Sequence, residues 1–583
     1  MDQQIERAYA EWSTRFYFDK NTRMELMRIE SDENEIRDRF YKELEFGTAG
    51  IRGLMGAGTN RINIYVVRKV SYAIAKCLLQ ENTGGQGVVI GYDSRHYSKE
   101  FAQEAASVFA GHGIKVYLHP DICPVPVLSF SVRKLRCAAG IMITASHNPK
   151  EYNGYKVYGS DGAQLSPQNC EAIVAALQQM TDYTKLAGFD YTYFSMRGKI
   201  KPVDESVRNS YYKEVKKVFV NRDLLHRNAA GLKIVYTPLH GAGGKWVPPL
   251  LESVGFRQVS YVASQMLPDG DFPTVRVPNP EDPGAFELAI QTAKETGADL
   301  ILATDPDADR TGAYAINQSG EYEMLNGNQI GAILLEHIIT GRKEYGTLPE
   351  NPFVVSTIVS TRLARRICEA NGIAYTDVLT GFKYIGEQIV LREEQGDEHF
   401  LFGFEESYGY LAGIYARDKD AVASCALLAE AAAKYAKRNM SLFDGLEEIY
   451  QKYGYSYEMQ VSVNLKGEIG RVKMQQVMET LRREKAAAIP ENIVIFQDIE
   501  NDVAYAYDDE GRLLQEQAVG LPKANVLYYE LPRAWFCVRP SGTEPKIKIY
   551  FGAEGKSRME AAERAAGVKE KVMRKITEII KYS

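Results

Sequence analysis

No apolar run in this chain approaches the roughly 20 residues needed to span a bilayer. The runs are strand-sized, as in Gly140-Ile-Met-Ile-Thr144, so no membrane association is expected. A signal peptide is not expected either, because Met1-Asp-Gln-Gln-Ile-Glu-Arg7 is charged and helix-like. A basic excess is also lacking. With a net charge of -6 the chain is poorly suited to a phosphate backbone, which argues against a nucleic-acid partner. The seven cysteines (Cys77, Cys123, Cys137, Cys170, Cys368, Cys425, Cys537) include no C-x-x-C pair. That excludes a clear zinc site and favours reduced thiols in the cytoplasm. Nucleotide-binding glycine fingerprints are missing as well. Gly241-Ala-Gly-Gly-Lys245 has the outline of a P-loop, yet Leu239 replaces its first glycine and Trp246 its Ser/Thr. Gly84-Gly-Gln-Gly87 precedes its strand instead of following it.

What is present is a long alternation of strands and helices. At 583 residues, three or four domains are expected. Residues 1–40 read as a helical preface rich in Glu and Arg. Buried-strand runs follow at Val88–Gly91, Ile114–Tyr117, Lys233–Tyr236, Leu300–Ala303 and Phe353–Thr357. Helices are expected from about Ser98 to His112 and near 283–297, 360–371 and 419–438. This alternation indicates βαβ units and mainly parallel sheets. The last third differs. Residues 457–465 alternate in polarity, Trp535–Val538 and Ile547–Phe551 look like a strand pair, and 556–580 is a charged helix. We therefore expect an α/β fold of three similar domains with mixed, mainly parallel sheets, followed by an α+β domain. The expected divisions are 1–205, 206–324, 325–455 and 456–583.

Four segments carry candidate chemistry. Thr144-Ala-Ser-His-Asn-Pro149 follows the strand ending at Ile143, where open α/β sheets place ligands. Ser146 can be a nucleophile or phosphoryl carrier beside His147, although for the segment taken alone an Asn-Pro turn, its serine hydroxyl on a nearby backbone amide, is the favoured account. Asp305-Pro-Asp-Ala-Asp-Arg310 sets three carboxylates at i, i+2 and i+4. Two unit charges about 4 Å apart repel by roughly 4 kcal/mol at intermediate dielectric. A loop wrapped on a hard cation, Mg²⁺ by default, relieves that repulsion. Gly403-Phe-Glu-Glu-Ser-Tyr-Gly409 is expected as a loop after the strand His399–Phe402. Glu405 and Ser407 there can read sugar hydroxyls, with the glycines serving tight turns. Arg539-Pro-Ser-Gly-Thr-Glu-Pro545, with Lys548 beyond it, can form an anion nest from Arg539, Ser541, Gly542 and Thr543.

Together these four segments resemble the signature loops of the α-D-phosphohexomutase superfamily, the phosphoglucomutases and phosphomannomutases. The resemblance covers nearly the whole chain and points to the longer bacterial-type branch. It implies four domains around a central cleft. It implies a phosphoserine at Ser146, with Mg²⁺ held by Ser146, Asp305, Asp307 and Asp309. Arg52, in Gly47-Thr-Ala-Gly-Ile-Arg52, would help bind the phosphoserine, and Lys156 would transfer a proton. Arg310, Thr380, Gly381, Glu405, Ser407 and Lys419 would contact the substrate, and Arg539, Ser541, Gly542, Thr543 and Lys548 the remote phosphate. The implied reaction interconverts glucose 1-phosphate and glucose 6-phosphate through glucose 1,6-bisphosphate. The metal segment departs from the commoner D-G-D-G-D pattern, and the branch includes pentose-phosphate mutases. Pentose and mannose phosphates therefore stay open as alternatives.

Overall fold

The computed structural model describes residues 2–47, 50–166, 168–221, 224–225, 229–465, 467–541 and 546–582. The preface forms three helices, Gln3–Thr14, Lys20–Met27 and Glu33–Phe40. Each is opened by an aspartate (Asp2, Asp19, Asp32) whose carboxylate accepts a free backbone N–H of the first turn. Trp12 stacks on Phe18 and meets Tyr65 edge-on, so the preface joins the core of the first α/β unit.

That unit contains β1 (Ile51–Leu54), β2 (Val88–Tyr92), β3 (Val116–Leu118), β4 (Ala139–Ile143), β5 (Tyr152–Gly159) and β6 (Ile200–Pro202). Their order is β1-β5-β4-β2-β3-β6. The four strands from β4 to β6 run parallel, β5 turns back antiparallel to β4, and β1 pairs antiparallel with β5. Every residue of β2 and β4 is buried, as a parallel strand covered on both faces requires.

The second unit holds β7 (Lys233–Thr237), β8 (Gln258–Tyr261), β9 (Leu300–Thr304), β10 (Thr311–Ile316) and β11 (Tyr322–Leu325), ordered β11-β10-β9-β7-β8. The third holds β12 (Pro352–Thr357), β13 (Ala374–Val378), β14 (His399–Glu405) and β15 (Gly409–Ala412), ordered β13-β12-β14-β15. In each, a parallel centre carries an antiparallel return strand. The expected α/β class is therefore what the chain adopts. β4, β9 and β14 each lead into one of the chemical segments.

The third segment differs from expectation. β14 runs through Gly403 to Glu405, leaving only Glu406–Tyr408 as the turn into β15. Neither glycine takes a left-handed conformation; Tyr408 does, at φ 66°. Both glycines instead permit close approach. A Cβ on Gly409 would stand 2.2 Å from Lys419 Cδ, and one on Gly403 would stand 2.8 Å from Ile385 Cγ2.

The C-terminal unit is an all-antiparallel sheet of seven strands. It comprises β16 (Tyr455–Asn464), β17 (Ile495–Asp498), β18 (Val503–Tyr507), β19 (Leu513–Gln517), β20 (Leu527–Leu531), β21 (Ala534–Pro540) and β22 (Lys546–Gly555). Helix Arg558–Tyr582 packs on it. This unit docks on helix Arg362–Asn371 of the third through Arg362 to Glu530 at 2.9 Å and Arg366 to Glu554 at 2.7 Å.

Candidate active site

Ser146 is buried and left-handed, at φ 52°. Its segment is held in that conformation by side chains from the neighbouring strand end. Ser146 N–H donates to Thr144 Oγ1 at 2.8 Å, and Thr144 donates to Asp93 Oδ2 at 2.7 Å. Arg95, fully buried, donates to the carbonyls of Ser146 and Asn148, to that of Pro149 at 2.8 Å and to that of Tyr152 at 3.1 Å. The sequence pattern did not single out Asp93 and Arg95. Their signal is position: they lie just beyond the C-terminal end of β2, the parallel neighbour of β4. Arg95→Met would leave those carbonyls and Asp93 buried without their cation. We expect it to cost about 3–5 kcal/mol of stability, read as a lowered denaturation midpoint in urea.

The Ser146 hydroxyl donates to Asp305 Oδ2 at 2.7 Å, which ties the serine to the acidic segment of the second unit. Asp305 Oδ1 also accepts the N–H groups of Asp309 and Arg310, both at 3.0 Å. Carbonyls of the same turn are gripped from three directions. Pro306 O accepts from Ala242, Asp307 O from Val125 of the first unit and Ala308 O from Ala421 of the third. This explains Gly241-Ala-Gly-Gly-Lys245: a Cβ on Gly241 would stand 2.4 Å from Pro306 Cα. Ala308 occupies a left-handed position at φ 48°, where the commoner family pattern has glycine.

Asp305, Asp307 and Asp309 are buried, and each offers a carboxylate oxygen within 4.8 Å of the others. Two cations already answer them. Lys156 Nζ lies 2.9 Å from Asp307 Oδ2 and 3.3 Å from Asp309 Oδ2, and Lys419 Nζ lies 3.0 Å from Asp309 Oδ2. Even so, Asp307 Oδ1 and Asp309 Oδ1 are buried with no hydrogen-bond partner among the described residues. Unpaired buried carboxylate oxygens on one turn suit a hard divalent cation. Burial and the two neighbouring acids push Asp305 well above the usual carboxylate range. For Asp309, burial is outweighed by Lys419, Lys156 and Arg310, which hold it far below that range.

His147 Nδ1 lies 3.2 Å from Ser146 Oγ. Burial, then Arg310 and Arg52, push the imidazole well below its usual value, so the ring is neutral. Lys156 is buried, but Asp307 and Asp309 outweigh burial and raise its ammonium. A role in proton transfer therefore requires release from those acids first. Arg52, on β1, donates to Asn148 Oδ1 at 3.0 Å and so stands over the serine segment. Arg310 pairs with Glu281.

Glu405 Oε1 accepts Gly381 N–H at 2.8 Å, which joins two of the expected sugar-contacting positions. Burial raises the Glu405 carboxyl. Ser407 is half-buried in the turn, its hydroxyl unengaged among the described residues. Arg539 and Lys548 sit directly opposite each other on β21 and β22. Ser541 N–H donates to Lys546 O at 2.7 Å. Gly542 and Thr543 lie outside the described residues. Burial lowers the Lys548 ammonium, and the charges around it are Glu281, Glu406 and Arg310 of the second and third units. Lys383, two residues past Gly381, carries no signal in the sequence; burial, with repulsion from Arg539, brings it down to about 8.

Four family models match the chain in order: the alpha/beta/alpha domains I, II and III of phosphoglucomutase/phosphomannomutase over 43–184, 209–317 and 326–453, and its C-terminal domain over 471–571. A phosphoglucomutase of Staphylococcus aureus (strain bovine RF122 / ET3-1) is 38% identical over 518 residues, 88% of this chain and 90% of that one. Among solved structures, the open form of Paramecium parafusin, a phosphoglucomutase, superposes with a TM-score of 0.68 at 17% identity, covering 93% of this chain and 96% of the other. A phosphoglucomutase/phosphomannomutase family protein from Burkholderia thailandensis gives 0.64 at 18% identity, covering 92% and 97%. With its four domains matched in order and Ser146 in contact with the aspartate turn, the chain belongs to the phosphoglucomutase/phosphomannomutase family of the α-D-phosphohexomutases.

Proposed function

We propose that this enzyme interconverts glucose 1-phosphate and glucose 6-phosphate, with Ser146 as the phosphoryl carrier and glucose 1,6-bisphosphate as the intermediate. The observation that carries the reading is the contact of Ser146 Oγ with Asp305 Oδ2 at 2.7 Å, which joins a buried serine to a buried acidic turn. The four units divide the work, with the phosphoserine in 1–205, the cation in 206–324, the sugar in 325–455 and the remote phosphate in 456–583. Asp305, Asp307 and Asp309, with the phosphorylated Ser146, would hold Mg²⁺, which when bound offsets charge on the transferring phosphoryl group.

In the first half-reaction the Ser146 Oγ–P bond breaks as the free sugar hydroxyl forms a new O–P bond in line. The hydroxyl proton goes to a neighbouring base; Lys156, once freed from Asp307 and Asp309 and having given up its own proton, is the residue the family resemblance assigns. The bisphosphate then turns over, so that the other phosphate faces Ser146 while Arg539, Ser541, Gly542, Thr543 and Lys548 hold the first. In the second half-reaction the sugar O–P bond now facing Ser146 breaks as Ser146 Oγ–P forms again, and the serine proton passes by way of the same base to the sugar oxygen that is left. Glu405, Ser407, Thr380 and Gly381 would orient the sugar, and Arg310 and Lys419 would steady its charge. Closure of the last unit would exclude water, which otherwise would hydrolyse the phosphoserine. A cytoplasmic setting belongs to the same reading and is supported by seven cysteines that are all buried and unpaired.

Glucose is favoured because Glu406 stands between Glu405 and Ser407, where dual-specificity members carry Met, and because the Staphylococcus relative is a phosphoglucomutase. The test offers glucose 1-phosphate, mannose 1-phosphate and ribose 1-phosphate to one preparation. We expect kcat/KM to be highest on glucose 1-phosphate. Better turnover of ribose 1-phosphate would make the enzyme a pentose-phosphate mutase, and better turnover of mannose 1-phosphate a phosphomannomutase.

A further inference from the structure

Tyr158 has no part in the roles assigned so far. It lies on β5 two residues after Lys156, so both side chains leave the same face of the strand, and both are buried. The Tyr158 hydroxyl donates to Asp418 Oδ2 at 2.9 Å. Asp418 immediately precedes Lys419, and its other oxygen accepts the Lys419 N–H at 2.8 Å. Burial and then the Asp418 charge push the tyrosine hydroxyl far above its usual value, so it remains a donor.

Lys419 Nζ therefore has two buried carboxylates within 4.0 Å among the described residues, and Glu405 acts on it from farther away. Asp309 Oδ2 lies 3.0 Å away across the domain boundary, and Asp418 Oδ1 lies 3.8 Å away on the adjacent residue. The backbone carrying them is fixed on both sides. Arg417 N–H donates to Ser129 Oγ at 2.9 Å, and Asp420 Oδ2 accepts from Tyr211 at 2.7 Å and from Tyr415 at 2.6 Å. Only the Lys419 side chain is left to choose between the acids. A buried carboxylate that lacks a donor is strongly destabilised, and it draws in whatever cation can reach it. Lys156 also feels Asp418, but it is already held by Asp307 and Asp309.

We propose that Tyr158 is a positioning residue: by occupying Asp418 it prevents that carboxylate from capturing Lys419, and so keeps the ammonium on Asp309 inside the site. This rests on the reading of Lys419 as a substrate contact, and adds a residue that the reading does not include. Tyr158→Phe frees Asp418 Oδ2, and Lys419 swings from Asp309 to Asp418. Two consequences follow in opposite senses. The substrate loses a cation, while Asp309 loses a competitor for the metal.

The test measures full-length wild type, Tyr158→Phe, Asp418→Asn and the double variant, using steady-state kinetics on glucose 1-phosphate and Mn²⁺ titration of the resting protein by electron paramagnetic resonance. Loss of a hydrogen bond to a buried charge predicts that Tyr158→Phe raises KM about tenfold with a smaller change in kcat. It also tightens Mn²⁺ binding several-fold, whereas simple structural damage would weaken it. In the double variant Asp418 no longer draws Lys419 away, while Glu405 acts on it as in wild type, so both quantities return towards wild type. Asp418→Asn alone stays within about twofold of wild type on both, because the amide still accepts a hydrogen bond there, offers Lys419 no competing charge and leaves Asp309 to hold the ammonium. Unchanged or weaker Mn²⁺ binding in Tyr158→Phe, or a double variant no better than the single, overturns the proposal. Should Tyr158→Phe fail to fold, a tenfold rise in KM for Asp418→Asn overturns it too. If wild type isomerises no sugar phosphate, the functional reading fails, and the Mn²⁺ arm still decides the role of Tyr158.

Discussion

Ser146→Ala is expected to abolish mutase activity, by roughly 10⁴-fold or more, as removal of a covalent carrier does elsewhere. The protein should stay folded. The substitution removes one hydroxyl that donates to Asp305, a change of about 1–3 kcal/mol, while the N–H groups of Asp309 and Arg310 still donate to its other oxygen. The surrounding frame of Thr144, Asp93 and Arg95 is untouched, because it grips the segment through backbone groups. Intact-mass spectrometry should find a phosphoryl adduct on wild type incubated with glucose 1,6-bisphosphate and none on Ser146→Ala. An adduct that persists in the variant would move the carrier elsewhere.

The second large effect concerns the acidic turn. Asp309→Asn should lower kcat by about 10³-fold, since several kcal/mol of charge stabilisation at the phosphoryl group depend on the bound cation. It should also cost stability, about 3–5 kcal/mol, because Lys156 and Lys419 both lean on Asp309 and would be left as poorly paired buried charges. Chelation of the metal from wild type predicts a different result. Activity disappears and returns with added Mg²⁺, while the melting temperature falls little, since the two lysines continue to neutralise the acids. A collapse of the fold on chelation would contradict this arrangement of charges.

How much of this is legible in the sequence depends on the range of the interactions involved. The Asp305–Asp309 pattern announces itself because like charges at that spacing demand a counter-charge. Its pairing with lysines does not: Lys156 and Lys419 are named through the family resemblance alone, and as they approach from other domains they share no local pattern with it. The strand–turn positions of Ser146 and Arg539 follow from buried apolar runs at β4 and β21. β17 to β19 do not, since β19 is exposed along its whole length and leaves no alternation to read. The glycines of the Glu405 segment read as turn residues, yet they serve Lys419 and Ile385, neighbours supplied only by the folded chain. Arg95 escapes notice for a related reason: its partners are backbone carbonyls, which carry no sequence signature. The domain-level resemblance is legible because the four signature segments occur in order, and the match to all four family domains agrees with it.

The most direct test of the central claim follows the phosphoryl group itself. Enzyme labelled on Ser146 with radioactive phosphate is mixed with a small excess of glucose 1-phosphate and quenched within one turnover. Label should leave the protein and appear in glucose 1,6-bisphosphate and glucose 6-phosphate, with none released as inorganic phosphate over the same interval. Label released as inorganic phosphate at the rate of substrate loss would instead make the chain a phosphatase, and label that never leaves Ser146 would remove it from the reaction.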